Sequence, residues 1–198
     1  MTFDVDGAWT RQSVTVGGSE AFETQRVYWL QVGGCYADLR VPFHPSGGTA
    51  CFAGRSGWDG DRYRWTHRLD LEDPAVMGLG GGPGGDDVGQ LHWEGEHLIE
   101  RGVLGTVPYE EVWVRLPGGE GEPQILEADN GCHVQAGGHA ITILDERAAG
   151  GGFNACYRVR RGDGEWEIRA QIGEIPVGPI HLRCPNTEDV SDLARLAP

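Results

Sequence analysis

The chain is short of positive charge and of helical periodicity, and it lacks most of the short motifs that name a chemistry. Its 198 residues carry 16 basic side chains against 30 acidic ones, a net charge of -14. Phosphate backbones and anionic bilayers are repelled by such a surface, so nucleic acid and membrane are disfavoured as partners. Acidity of this kind is otherwise an ordinary solubility device. No window approaches the length of a transmembrane helix, and the start, Met1 to Gly7, has neither the basic nor the apolar region of a secretory leader. The expected location is the cytoplasm.

Cysteine usage agrees with that location. The five cysteines, Cys35, Cys51, Cys132, Cys156 and Cys184, are odd in number, spread widely and free of any C-x-x-C pair, which predicts reduced thiols rather than disulfides or zinc. The seven histidines have no ligand-like spacing, so no metal and no cofactor is expected. Gly-x-Ser-x-Gly, His-Glu-x-x-His and Gly-Lys-Ser/Thr are all absent, which sets aside serine hydrolases, zinc proteases and P-loop enzymes. The glycine-rich run at 77–87 contains Pro83 and precedes no helical pattern; it reads as a flexible loop, with a lid at a barrel mouth as its functional alternative.

What the chain does have is strands. Runs bounded by Gly, Pro, Asp or Asn at 10–16, 25–32, 35–41, 51–56, 63–71, 89–93, 97–102, 109–116, 124–128, 133–135, 139–145, 154–160 and 165–172 predict an all-β protein. Tight turns between them favour an antiparallel barrel over a sandwich. A single domain over 1–198 is expected, with a sub-division into two barrels open near 117–123. Only 187–196 supports a short helix.

The hairpin around Gly33-Gly34 is the most informative segment. A two-residue turn there puts Gln31 opposite Tyr36, Trp29 opposite Asp38 and Val27 opposite Arg40, with Leu30/Ala37 and Tyr28/Leu39 on the reverse face. One face is plain packing and the other mixes rings with charges, so it is either a solvated surface or the wall of a polar cavity. In 63–71, alternation groups Tyr63, Trp65, His67, Leu69 and Leu71 on a face expected to point inward, away from Arg64, Thr66, Arg68 and Asp70. His67 is then a candidate base or hydrogen-bond partner, or simply a satisfied core histidine. In 109–116, Tyr109, Glu111, Trp113 and Arg115 share one side, and either that side or Val112, Val114 and Leu116 faces the core.

An interior holding Gln31, Asp38, Arg40, His67 and Glu111 among Trp29, Tyr36, Trp65, Tyr109 and Trp113 predicts a small-molecule site. If the protein is an enzyme, His67 or Glu111 moves a proton and Arg40 steadies an anion, which is the chemistry of a cofactor-independent lyase or isomerase of secondary metabolism. A protein-interaction scaffold with no cavity is the further alternative, and a homodimer is left open.

The ordered motifs Trp29-Leu-Gln31, Tyr36-Ala-Asp-Leu-Arg-Val41, Cys51-Phe-Ala-Gly-Arg55, Trp65-Thr-His-Arg-Leu-Asp70, Asp86-Asp-Val-Gly89, His97-Leu-Ile-Glu-Arg-Gly102 and Tyr109-Glu-Glu-Val-Trp113 resemble the fungal casein-kinase-interacting barrel proteins, the HRI family. The resemblance spans residues 24–116 and implies a calycin-like, lipocalin-like barrel with a cavity; it implies no particular reaction. More distantly such barrels resemble haem-binding nitrobindins, but no residue matches the haem-ligating position, so no haem is expected.

Overall fold

The computed structural model describes residues 4–71 and 86–175. The glycine-rich loop at 78–85, Cys184 and the expected helix at 187–196 lie outside the described residues. Thirteen strands follow one another: β1 (Gly7–Val16), β2 (Gln25–Val32), β3 (Cys35–Pro42), β4 (Ala50–Asp59), β5 (Arg62–Asp70), β6 (Asp86–Glu94), β7 (His97–Leu104), β8 (Val107–Arg115), β9 (Gln124–Ala128), β10 (Gly131–Ala136), β11 (His139–Asp145), β12 (Phe153–Arg160) and β13 (Trp166–Ile172). Every expected strand is present. No helix among the described residues is long and apolar enough to cross a membrane.

Strands β1 to β8 pair antiparallel in chain order, and β8 returns to β1, closing an eight-stranded calycin-like barrel. Closure removes the unpaired sheet edges that would otherwise template association. The chain leaves the barrel after Arg115 and builds an open five-stranded sheet in the order β13-β12-β11-β10-β9. The second half is therefore an open sheet rather than a second barrel.

Alternation along the strands feeds two cores. Inside the barrel lie Trp9, Trp29, Tyr36, Tyr63, Trp65 and Trp113 with Val27, Leu91 and Leu98. On its outer face Leu30, Ala37, Leu39, Ala53 and Leu69 pack against Val134, Ile141, Ile143 and Tyr157 of the open sheet. Tyr28 stacks on Tyr157 with centroids 3.9 Å apart. The plain face of the Gly33-Gly34 hairpin is thus the barrel's exterior, buried because the second sheet covers it. The pairing of β2 with β3 follows the register that a two-residue turn requires, and both glycines have positive φ, 53° and 79°.

Register shifts interrupt three strand pairs, β1/β8, β4/β5 and β12/β13, and the one in β4/β5 bears on the site. Gly54 pairs with His67 and Ala53 with Leu69, so Arg68 is an extra residue, a β-bulge. The faces exchange there: Tyr63, Trp65 and His67 point into the barrel, as expected, but Leu69 joins the outer core and Asp70 turns inward. Arg68 donates to the carbonyls of Ala128 and Gly131 and ties the bulge to the open sheet.

The bulge brings backbone close to backbone, and a Cβ at residue 54 would strike the Thr66 carbonyl oxygen. Gly54→Ala is expected to destabilise the fold by about 1–3 kcal/mol, the usual range for overpacking. Gly57→Ala on the same strand meets open space and should be near neutral. Denaturant midpoints of the two variants measure the difference.

Candidate functional site

The barrel interior is polar along one arc, built by β1, β3, β6, β7 and β8. Arg40 folds back along its own strand onto Asp38: Nε donates to Oδ1 at 2.9 Å and Nη2 to Oδ2 at 3.2 Å. Such a two-pronged contact fixes both groups. Asp38 is buried, and burial pushes its carboxyl above the ordinary range while Arg40 opposes the shift. For Arg40, burial works against the charge, but Asp38 and Glu111 outweigh it and hold the guanidinium's pKa above its ordinary value.

Glu111 points inward with Tyr109 and Trp113, which settles the orientation of β8 in favour of its aromatic side. Its carboxylate takes a hydrogen bond from Nη1 of Arg11 and stands 3.8 Å from Arg40 Nη1. Arg11 also donates to Glu23 Oε2 at 2.7 Å and to Gln25 Oε1 at 2.9 Å. All sixteen basic residues of the chain are arginine, so the interior cations are permanent charges and no lysine is present to form a Schiff base.

Glu100 sits directly opposite Glu111 in the β7/β8 register. Two facing carboxylates repel. Glu111 has Arg11, whereas among the described residues the donors to Glu100 are neutral: Tyr109 Oη at 2.8 Å and Trp113 Nε1 at 3.1 Å. Burial, then Glu111 and Asp87, push the Glu100 carboxyl far above its ordinary value, which favours its protonated form. Asp87, opposite Trp65 on β6, is shifted upward by burial and Glu111 as well, and lies 3.4 Å from Tyr109 Oη. Two glycines leave room for this arrangement. A Cβ at residue 89 would stand 3.0 Å from Glu100 Cγ, and one at residue 102 would collide with the Tyr109 ring.

These groups surround a partly open cavity lined by Trp29, Tyr36, Asp38, Arg40, Trp65 and Trp113, together with Phe52, Asp87 and Glu100. It offers about 20 Å³ to the centre of a water-sized sphere, and about 280 Å³ of atom-free space counted out to bulk solvent. The smaller figure governs occupancy, because the larger includes crevices and outside solvent; it corresponds to one or two water-sized positions. Trp29 and Tyr36 line it, and Trp29 Nε1 and Tyr36 Oη are buried without a hydrogen-bond partner among the described residues. Buried polar atoms are nearly always satisfied, so these two ask for a water or a ligand.

The remaining sequence-derived residues lie in the barrel but outside the cavity wall. His67 Nδ1 donates to Asp70 Oδ2 at 2.9 Å and the ring stacks on Phe52 at 4.6 Å, with Nε2 buried and without a partner among the described residues. Gln31 accepts from Ser56 Oγ at 2.8 Å. Tyr109 and Glu111 stand behind Glu100 and Arg40. Sequence reasoning did not single out Arg11, Phe52, Asp87 or Glu100. Alternation in 97–102 places Glu100 on the face of Leu98, an available signal; the roles of Arg11 and Asp87 emerge only on closure of the barrel. Among the described residues no cluster of His, Cys, Asp and Glu is arranged to hold a metal.

Comparison with known proteins places the fold. No family model matches the chain, and no curated protein matches it. Among solved structures, the uncharacterized protein YLR301w of Saccharomyces cerevisiae is similar with a TM-score of 0.66 at 16% identity, covering 92% of this chain and 91% of that one. The similarity extends over barrel and open sheet together. A lipocalin-like protein from Bacteroides uniformis aligns with a TM-score of 0.42 at 13% identity, over 57% of this chain and 98% of that one.

Two predictions follow from the charge arrangement. Arg40→Ala strands the buried Asp38 carboxylate, at a cost on the order of 3 kcal/mol; in denaturant melts the Arg40→Ala/Asp38→Ala double variant should lose less than the sum of the single losses. Glu100 governs the pH dependence. Its folded pKa lies above the unfolded one, so its stabilising contribution is complete below the unfolded pKa and is lost as pH rises toward the folded value. Stability should therefore decline with rising pH by up to about 1.4 kcal/mol per pH unit from this proton, and Glu100→Gln should flatten that slope and be more stable than wild type at neutral pH.

Proposed function

We propose that this protein binds a small molecule inside its barrel, at the cavity between Trp29, Tyr36, Asp38, Arg40, Trp65 and Trp113, with Glu111, Tyr109, His67 and Gln31 as the shell that orients those groups. The observation that carries the reading is the pair of partnerless polar atoms, Trp29 Nε1 and Tyr36 Oη, in an aromatic-walled cavity beside fixed charges. Unfilled hydrogen-bonding capacity at the centre of a barrel has a stability cost that a core built only for packing would avoid. The ordered motifs of residues 24–116 support, within the same proposal, kinship with the HRI barrels. Four buried free thiols suit a reducing cytoplasm, and the apolar core shared by barrel and open sheet suits one folding unit.

A second reading is favoured by one feature, the Glu100 carboxyl, whose pKa burial pushes upward, lining the same cavity as Arg40. A proton donor opposite a permanent cation is the equipment of a cofactor-independent lyase or isomerase. Of the sequence-derived catalytic set, Arg40 lines the cavity, Glu111 is engaged by Arg11, and His67 has one free ring nitrogen; Glu100 takes the acid's place in this reading.

The test is a fragment screen by NMR on the indole N–H resonances, with Trp29 assigned through Trp29→Phe. Binders are expected to shift the Trp29 signal and to lose affinity about tenfold in Trp29→Phe. A folded protein whose Trp29 signal no fragment moves, and from which no small molecule is released on denaturation, would overturn the interior site.

A further inference from the structure

The cavity's charge balance indicates what the ligand carries. Two guanidiniums, Arg11 and Arg40, are already engaged by carboxylates: Arg11 by Glu111 and Glu23, and Arg40 by Asp38, with Glu111 3.8 Å away. Glu100 and Asp87 both line the cavity, and the hydrogen bonds they receive come from Tyr109 and Trp113, which are neutral. Around them stand rings set at steep angles: Trp29 to Trp65 at 72° with centroids 5.9 Å apart, and Trp29 to Trp113 at 66° and 5.2 Å. Indole rings at steep mutual angles beside two carboxyls that, among the described residues, receive hydrogen bonds only from neutral donors are the means by which proteins hold an organic cation, through the rings' quadrupoles and the counter-charge together. An inorganic anion would meet Asp87 and the Glu100 carboxyl, while the cation in the wall, Arg40, is already held by Asp38.

The orphaned atoms narrow the class. Tyr36 Oη can accept a hydrogen bond from an ammonium, whereas Trp29 Nε1 is a donor only and needs an acceptor on the ligand. The small volume excludes a bulky head. We propose that the interior site takes a small primary-amine cation that also carries an oxygen acceptor, its ammonium against Glu100 and Asp87 between the tryptophan rings and its oxygen at Trp29 Nε1. The proposal rests on the interior-site reading above and adds the charge of the ligand to it. Without the cation, Glu100 keeps its proton; with it, the carboxyl ionises and the proton leaves to solvent. Binding therefore releases protons and tightens as pH rises.

Three molecules of similar size separate the classes: ethanolamine, ethylene glycol and glycolate, each titrated calorimetrically into the full chain. Ethanolamine is expected to bind saturably, to release protons when measured in buffers of different ionisation enthalpy, and to weaken at least tenfold in Glu100→Gln and in Asp87→Asn. The neutral or anionic molecule binding as tightly, or ethanolamine binding equally in both variants, would overturn the cation assignment while leaving an interior site in place. Heat from none of the three would overturn it too, and the fragment screen on Trp29 decides separately whether any interior site exists. Phosphatidylethanolamine vesicles present the same ammonium on a lipid; the protein is expected not to sediment with them, and capture there would overturn assignment to a free amine.

Discussion

Arg11 is the residue on which the barrel's interior depends. It lies on β1 at the seam where β8 closes the barrel, and its buried guanidinium reaches Glu111 on β8, Glu23 and Gln25. A buried charge without partners would cost several kcal/mol, and this one is satisfied from three directions only when the seam is shut. The same contact holds Glu111 directly opposite Glu100, where burial first and Glu111 second push the Glu100 carboxyl's pKa upward. Closure of the sheet and the surroundings of Glu100 are thus linked through one ion pair.

The open sheet has a complementary task. Strands β2 to β5 present apolar residues on the barrel's outside, which in a free-standing barrel would meet water. Covering them with Val134, Ile141, Ile143 and Tyr157 buries that surface at about 1.5–3 kcal/mol per large side chain. With both faces of the Gly33-Gly34 hairpin buried, its strands cannot slip by a residue without exchanging an apolar set for a charged one. The register that aligns Trp29 with Asp38 and Gln31 with Tyr36 is held from outside the barrel.

The β5 bulge does similar work for His67. Without the extra residue at Arg68, Asp70 would point to the exterior and His67 would face the cavity region without its carboxylate partner. The bulge turns Asp70 inward to 2.9 Å from the imidazole and hands Leu69 to the outer core. A local irregularity of one residue therefore supplies both packing layers at once.

Local sequence determined the strands, the turn at Gly33-Gly34 and the two-faced character of β2 and β3, because strand period and turn chemistry are properties of neighbouring residues. The inward aromatic set of Trp29, Tyr36 and Trp65 was legible for the same reason. Tertiary structure decided the rest. That β8 meets β1 and gives Glu111 its Arg11 partner is a consequence of long-range pairing, in which residues about a hundred positions apart become neighbours; the facing of Glu100 and Glu111 is a contact of the adjacent β7/β8 hairpin, and it matters because closure buries both. The exchange of faces at Arg68 was hidden as well: a bulge is set by the partner strand's register, and alternation read along one strand alone carries no trace of it.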